Sequence, residues 1–270
     1  REIQFLYHRL RNPRIPPHPL IPERHVNPRS DGSRSQPTPV NAALIGCGRI
    51  GFLLEKDPLR NKPCTHFGGA MKAGIRITLA CDIDRARLSQ FGSAAGVAPC
   101  MLYGDYRLLL RECRPELVIV ATWTESHAKI AALAARSGAK VIVCEKPVSP
   151  SLKSARALIR ECEKSNTHLI INHERRYDYR YRAAKRIIDA GAIGEVKTVH
   201  ASILTGGYRG KSDPSEGGGP LLHDGTHMID IIRFFFGDIA SVDARFERSR
   251  DRRSGFEDRC AGWLRTKGGV

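Results

Sequence analysis

Lys146 stands between Glu145 and Pro147, directly after the apolar run VIVCE (141–145). A lysine leaving a buried strand is partly stripped of water. That favours its neutral form and lets it exchange a proton with a hydroxyl near neutral pH. A second cluster lies in GGGPLLHDGTHMIDIIRFFFG (217–237), where His223, His227 and Asp230 fall at i, i+4 and i+7, one stripe of a helix. Asp224, three residues before His227, is also its neighbour on such a helix. An amine, an imidazole and a carboxylate together form a set that handles protons, with Lys146, His227 and Asp224 as candidate catalytic residues. Zinc is another use of His223 and His227, but this HxxxH lacks a general-base Glu between its histidines, and no metal site is expected. The plainer alternatives are a surface lysine in an X-Pro turn, and a helix start with Asp224 near the dipole and His227 packed in the core.

The elements that must position these groups follow from periodicity. Apolar runs at about 40–45, 75–81, 117–121, 141–145 and 168–172 read as buried strands. Helical stretches at about 84–95, 105–112, 125–137 and 150–165 lie between them, with Gly96 and Gly138 just past two helix ends. Strands alternating with helices predict an α/β fold, a doubly wound parallel sheet covered on both faces. The first strand runs into Gly46-Cys47-Gly48-Arg49-Ile50-Gly51, a full GxGxxG. Its glycines serve the tight turn, the approach of a pyrophosphate and close helix–strand packing, and the phosphates sit on the N–H groups opening the next helix. Asp82 ends the next strand in ITLACDID, where a carboxylate receives the adenosine ribose hydroxyls and repels a 2′-phosphate, so NAD is expected over NADP. The alternative for Asp82 is a turn or cap residue, a role open equally to Asp84. EKDPLRNKPC (55–64) carries Pro58 and Pro63 where the first helix should continue, which predicts an inserted loop and a helix resuming around Thr65-His66. Loops at the carboxyl edge of such a sheet face the ligand crevice. They hold Thr122-Trp123-Thr124 with His127, and Glu145-Lys146-Pro147.

The chain has 270 residues, enough for one large domain or two of ordinary size, and its 41% hydrophobic and 27% charged residues exclude a wholly disordered chain. No apolar run approaches the ~20 residues that cross a bilayer, and the start lacks a signal peptide's apolar segment, so no membrane partner is expected. Eight scattered cysteines without CxxC pairing fit a reduced, cytoplasmic setting. The net charge of +16 is unevenly spread. Residues 1–39 hold half the prolines and seven Arg against three acids, and read as a disordered basic arm. Two further basic runs are HERRYDYRYRAAKR (173–186) and RFERSRDRR (245–253). They support a nucleic-acid or dinucleotide-sensing alternative, or binding of an anionic substrate; helix-spaced Arg and Tyr are more often a solvated face. The chain begins with Arg and stops at LRTKGGV, where a hairpin should reverse, so missing C-terminal sequence is expected.

From about Val40 onward the chain resembles the Gfo/Idh/MocA oxidoreductases. The resemblance rests on ALIGCGRIG, VIVATWTESH, VIVCEKPVSPSL, NHERRYD, DAGAIGEV and GGGPLLHDGTHMID, in the family's order. It implies a Rossmann domain (40–165) followed by an α/β domain with an open, mainly antiparallel sheet, here truncated (166–270). It also implies that Lys146 and His227 are catalytic, that Glu145 lies near the nicotinamide ribose and that Arg176 lines the cofactor site. The ligand set drawn from motif and resemblance is Gly46, Gly48, Arg49, Ile50, Gly51, Asp82, Thr122, Trp123, His127, Glu145 and Arg176. Three positions depart from the family pattern. Many members carry Asp four residues before the catalytic histidine, where this chain has His223, with Asp224 one step later. The usual Pro-Asn is Trp123-Thr124, and the C-terminal domain is shorter. The activity implied is hydride transfer between nicotinamide and a secondary alcohol or ketone of a sugar, cyclitol or sugar derivative, the hydroxyl proton passing to Lys146 or His227. Transient oxidation by an NAD-dependent glycosidase is the alternative within the family. Homo-oligomers are expected of the full-length protein.

Overall fold

The computed structural model describes residues 40–204, 219–247, 257 and 259–270. The arm expected at 1–39 and most of the basic run 245–253 lie outside the described residues.

Six parallel strands form one sheet: β1 (Ala42–Ile45), β2 (Ile77–Cys81), β3 (Leu102–Tyr103), β4 (Leu117–Val120), β5 (Val141–Glu145) and β6 (His168–Asn172), in the order β3-β2-β1-β4-β5-β6. Alternation along each strand divides the core between its two faces. Ala43 and Ile45 join Val118, Val120, Ile142 and Cys144 beneath one helical layer, whereas Ala42 and Leu44 join Ile77, Ala80 and Ile119 beneath the other. The layers are built by α1 (His66–Lys72), α2 (Arg85–Ala95), α3 (Tyr106–Cys113), α4 (Thr124–Arg136) and α5 (Leu152–Lys164). All five strands read from the sequence are present; the short edge strand β3 was not anticipated. β6 pairs with β5 along its length, so the cofactor sheet runs to Asn172 instead of closing at residue 165.

The inserted loop is present as expected. A short 3₁₀ turn (Leu53–Lys56) replaces the first helix, and α1 starts at His66 with Thr65 as its cap, the hydroxyl accepting the Gly68 N–H at 3.1 Å. Glu55 closes the loop, accepting from the Cys64 N–H (3.1 Å) and the Thr65 hydroxyl (2.7 Å). Phe52, Phe67 and Phe91 meet edge to face at 5.3–5.5 Å, packing the interrupted segment onto the sheet.

Asp84 caps α2, its carboxylate accepting from the N–H groups of Ala86 (2.9 Å) and Arg87 (3.1 Å). Asp84→Ala should therefore cost about 1 kcal/mol, read as a lowered urea midpoint with an unchanged denaturant slope.

The second unit contains a 3₁₀ turn (Glu174–Tyr177), α6 (Tyr179–Asp189), a π-helical turn (Leu221–Gly225), α7 (Thr226–Phe236) and an antiparallel pair, β7 (Ile239–Glu247) with β8 (Arg259–Thr266). The basic run 173–186 thus folds as a turn and a helix. Several of its cations are already matched to acids: Arg176 to Asp230 (2.7 Å), Arg180 to Asp178 (2.6 Å) and Lys185 to Asp189 (2.6 Å). Among the described residues no helix is long and apolar enough to cross a membrane.

Candidate active site

The glycine loop leaves β1 at Gly46, whose φ of 100° and whose closeness to the Ala121 carbonyl both forbid a side chain. At Gly51 an added Cβ would collide with the Gly46 carbonyl. Gly48 is different. Its backbone lies outside the left-handed region, and a Cβ there would meet no protein atom. The chain itself does not require glycine at 48, whereas a pyrophosphate pressed against the backbone would. The loop therefore fits a dinucleotide. Arg49 is exposed, and the Ile50 carbonyl accepts the His66 N–H at 3.0 Å, joining the loop to α1 across the insertion.

Asp82 is buried and largely committed. One carboxylate oxygen accepts from the Cys47 N–H of the glycine loop (2.8 Å), the other from the Asp84 N–H (2.8 Å) and the Arg87 guanidinium (3.1 Å). It staples the loop to the end of β2, while the capping role belongs to Asp84.

At the opposite side of β1, β5 delivers Glu145 and Lys146. Glu145 is buried, 2.8 Å from His66 Nε2 and accepting from Asn172 Nδ2 at 2.7 Å. Burial alone would raise its carboxyl, but His66 and Asn172 outweigh this and hold it below the usual carboxylate range. Lys146 donates to the main-chain carbonyl of His223 at 2.9 Å. Burial lowers the pKa of its ammonium, against the pull of Glu145, Asp224 and Glu174.

The stripe read from the sequence splits. The π-helical turn shifts the chain between His223 and α7, so His227 and Asp230 are buried while the His223 ring stays exposed beside Asp224 (3.2 Å). His223 meets Lys146 through its backbone, not its ring. Asp224 faces His223 rather than His227. Burial, then the positive charges of Lys146 and Arg175, push the His227 pKa down to about 4. Its Nδ1 and that of the neighbouring His173 are buried without a hydrogen-bond partner among the described residues.

The low value makes a sign prediction. Between pH 6.5 and about 4 the unfolded chain binds a proton at position 227 that the native ring refuses, so native stability falls as pH drops through that window. His227→Gln should remove this component, up to about 3 kcal/mol, measured as a flatter stability–pH curve.

Two expected ligand residues make protein contacts instead. The Arg176 guanidinium binds Asp230 in a bidentate pair, both bonds 2.7 Å, and lies over Phe234. The ring of His127 is fully buried between two main-chain carbonyls, Pro147 O at 2.8 Å and Thr122 O at 2.9 Å, so it ties the loops after β4 and β5 together. Thr122 shares a hydrogen bond with Ser126 (2.7 Å), and Trp123 is exposed at the start of α4. Sequence reasoning missed His66, Asn172, His173, Glu174 and Arg175. Asn172 was findable, because it ends β6 directly opposite Glu145. Arg175 could not be told from Arg176 before the 3₁₀ turn gave each its direction.

A family model for the NAD-binding Rossmann fold of an oxidoreductase family matches residues 40–173, and one for the GFO/IDH/MocA C-terminal domain matches 181–270. D-apiose dehydrogenase of Rhizobium rhizogenes is 32% identical over 214 residues, covering 78% of this chain and 58% of that protein. Inositol 2-dehydrogenase 2 of Saccharopolyspora erythraea is 28% identical over 234 residues, covering 86% and 64%. A crystallised oxidoreductase from Agrobacterium radiobacter, in complex with NAD+, L-tartaric acid and magnesium, superposes with a TM-score of 0.66 at 27% identity, covering 86% of this chain and 65% of that one. The chain thus spans less than two thirds of the length of each of these relatives.

Proposed function

Because the chain belongs to the Gfo/Idh/MocA oxidoreductase family, we propose that it is part of an NAD-dependent dehydrogenase interconverting a secondary alcohol and a ketone on a sugar, cyclitol or sugar acid. The observation that carries this reading is Lys146, water-poor at the carboxyl edge of a dinucleotide-type sheet and bonded to the turn that opens the His227 helix. When bound, NAD accepts or returns a hydride at its nicotinamide ring. The Gly46–Gly51 loop would hold its pyrophosphate. Asp82 has about four acceptor sites and spends three on Cys47, Asp84 and Arg87, leaving one for a ribose hydroxyl. Its negative charge, only partly offset by Arg87, supports NAD over NADP.

The chain's own residues move the proton. His227, neutral at pH 7, accepts it from the substrate hydroxyl. The Lys146 ammonium, turned from the His223 carbonyl, stabilises the negative charge developing on that oxygen. For ketone reduction the same groups act in the opposite direction. Arg175, whose charge acts on both Lys146 and His227, supports a substrate carrying a carboxylate beside its hydroxyls.

A panel of pentoses, inositols and sugar acids, offered to the full-length protein with NAD or NADP and followed by nicotinamide absorbance, tests this. Net reduction of NAD by at least one polyol is expected. If NAD binds yet no polyol reduces it, the dehydrogenase reading fails.

A further inference from the structure

Among the described residues His227 Nδ1 is buried without a hydrogen-bond partner, and an acid approaches it that no motif singles out. Glu174, first residue of the 3₁₀ turn after β6, holds Oε1 3.7 Å from that nitrogen. Asp224, the acid expected to serve His227 on helical spacing, instead faces the His223 ring. We propose that Glu174 is the positioning carboxylate of His227, accepting its Nδ1–H once ligand has filled the crevice and leaving Nε2 as the proton acceptor.

The geometry is suited to tightening. Glu174 is half exposed, with room to change rotamer, while the imidazole across from it is nearly closed off from solvent. Hydrogen bonds of this kind are often long before substrate enters and shorten in the complex. The surroundings explain why a carboxylate is needed. The charges of Lys146, from the end of β5, and of Arg175 and His173, from the segment after β6, act on His227, opposed more weakly by Asp224 from the turn before its helix. On its own helix, Asp230 is committed to Arg176. Cations therefore dominate, and they oppose a proton arriving on the ring. An acid at Nδ1 offsets them when the proton lands on Nε2, and it fixes which nitrogen is the acceptor.

This inference rests on the dehydrogenase reading for its catalytic meaning, but the pair itself is measurable without turnover. In the full-length protein, ¹⁵N spectra of the His227 ring with NAD and a substrate analogue bound should show the Nδ1–H tautomer. Glu174→Gln should weaken that preference and lower the ring's pKa further. In kinetics it should reduce kcat about 10- to 100-fold with KM within about threefold, and move the acidic limb of the pH profile. Glu174→Asp should recover part of the loss. An Nε2–H tautomer in the unmutated protein overturns the proposal, and so does a Gln variant with unchanged spectrum and pH profile. An Nδ1–H tautomer in a protein that oxidises no polyol upholds the pair and removes only the dehydrogenase reading.

Discussion

Lys146→Met is expected to lower kcat by roughly 10²- to 10⁴-fold while leaving NAD affinity within about twofold. The separation arises because the glycine loop that would hold the pyrophosphate follows β1, whereas Lys146 follows β5 and donates its hydrogen bond to the turn before α7. The methionine matches the lysine stem in length and is apolar, and the site already disfavours the charged amine, so the fold should tolerate it. Two consequences follow beyond the loss of rate. Removing the ammonium also removes a main charge holding the His227 pKa down, so that ring should titrate at higher pH in the variant. Lys146→Arg should not restore turnover, because a planar guanidinium meets neither the His223 carbonyl nor a substrate oxygen with the geometry of a flexible amine. Stopped-flow turnover and NAD titration on the same preparation provide the check. Full turnover in the Met variant with normal NAD binding sinks the assignment.

The second large effect divides two glycines that one motif treats alike. Gly46→Ala should unfold or severely destabilise the protein, by about 3 kcal/mol or more, since it adds both a left-handed backbone penalty and overlap with the Ala121 carbonyl. Gly48→Ala should leave the urea midpoint where it was, because its Cβ meets open space. It should nevertheless weaken NAD binding at least about tenfold, some 1.4 kcal/mol, by occupying the place of a phosphate oxygen. A Gly48 variant that binds NAD normally would mean that the space serves something else.

How much was legible beforehand depended on the range of the interactions involved. The sheet strands, the interruption at Pro58 and Pro63 and the resumption of the helix at His66 are local consequences of alternation, proline and a capping threonine, and each could be read directly. Lys146 and His227 were picked out by residue type and spacing, and the fold brings them close enough for the charge of one to act on the other. What failed was direction. Helical spacing put His223, His227 and Asp230 on one stripe, but the stripe assumed 3.6 residues per turn, and the π-helical turn takes more. Arg176 carried the right charge for a ligand and spends it on an aspartate 54 positions away. His127 sits in the first turn of α4 and faces inward. Such contacts depend on long-range partners that no local pattern encodes.

The Arg176–Asp230 clamp has a consequence for how the protein can change. It fixes α7, and with it His227, to the turn leaving β6, so the His227 ring takes its place from the edge of the parallel sheet. The residues between α6 and the π-helical turn are therefore relieved of that task. Substitution, insertion or deletion there should change what is recognised before it displaces Lys146 or His227. For the proposed dehydrogenase, specificity and chemistry can then change separately, and new substrates can be sampled without rebuilding the Lys146–His227 pair.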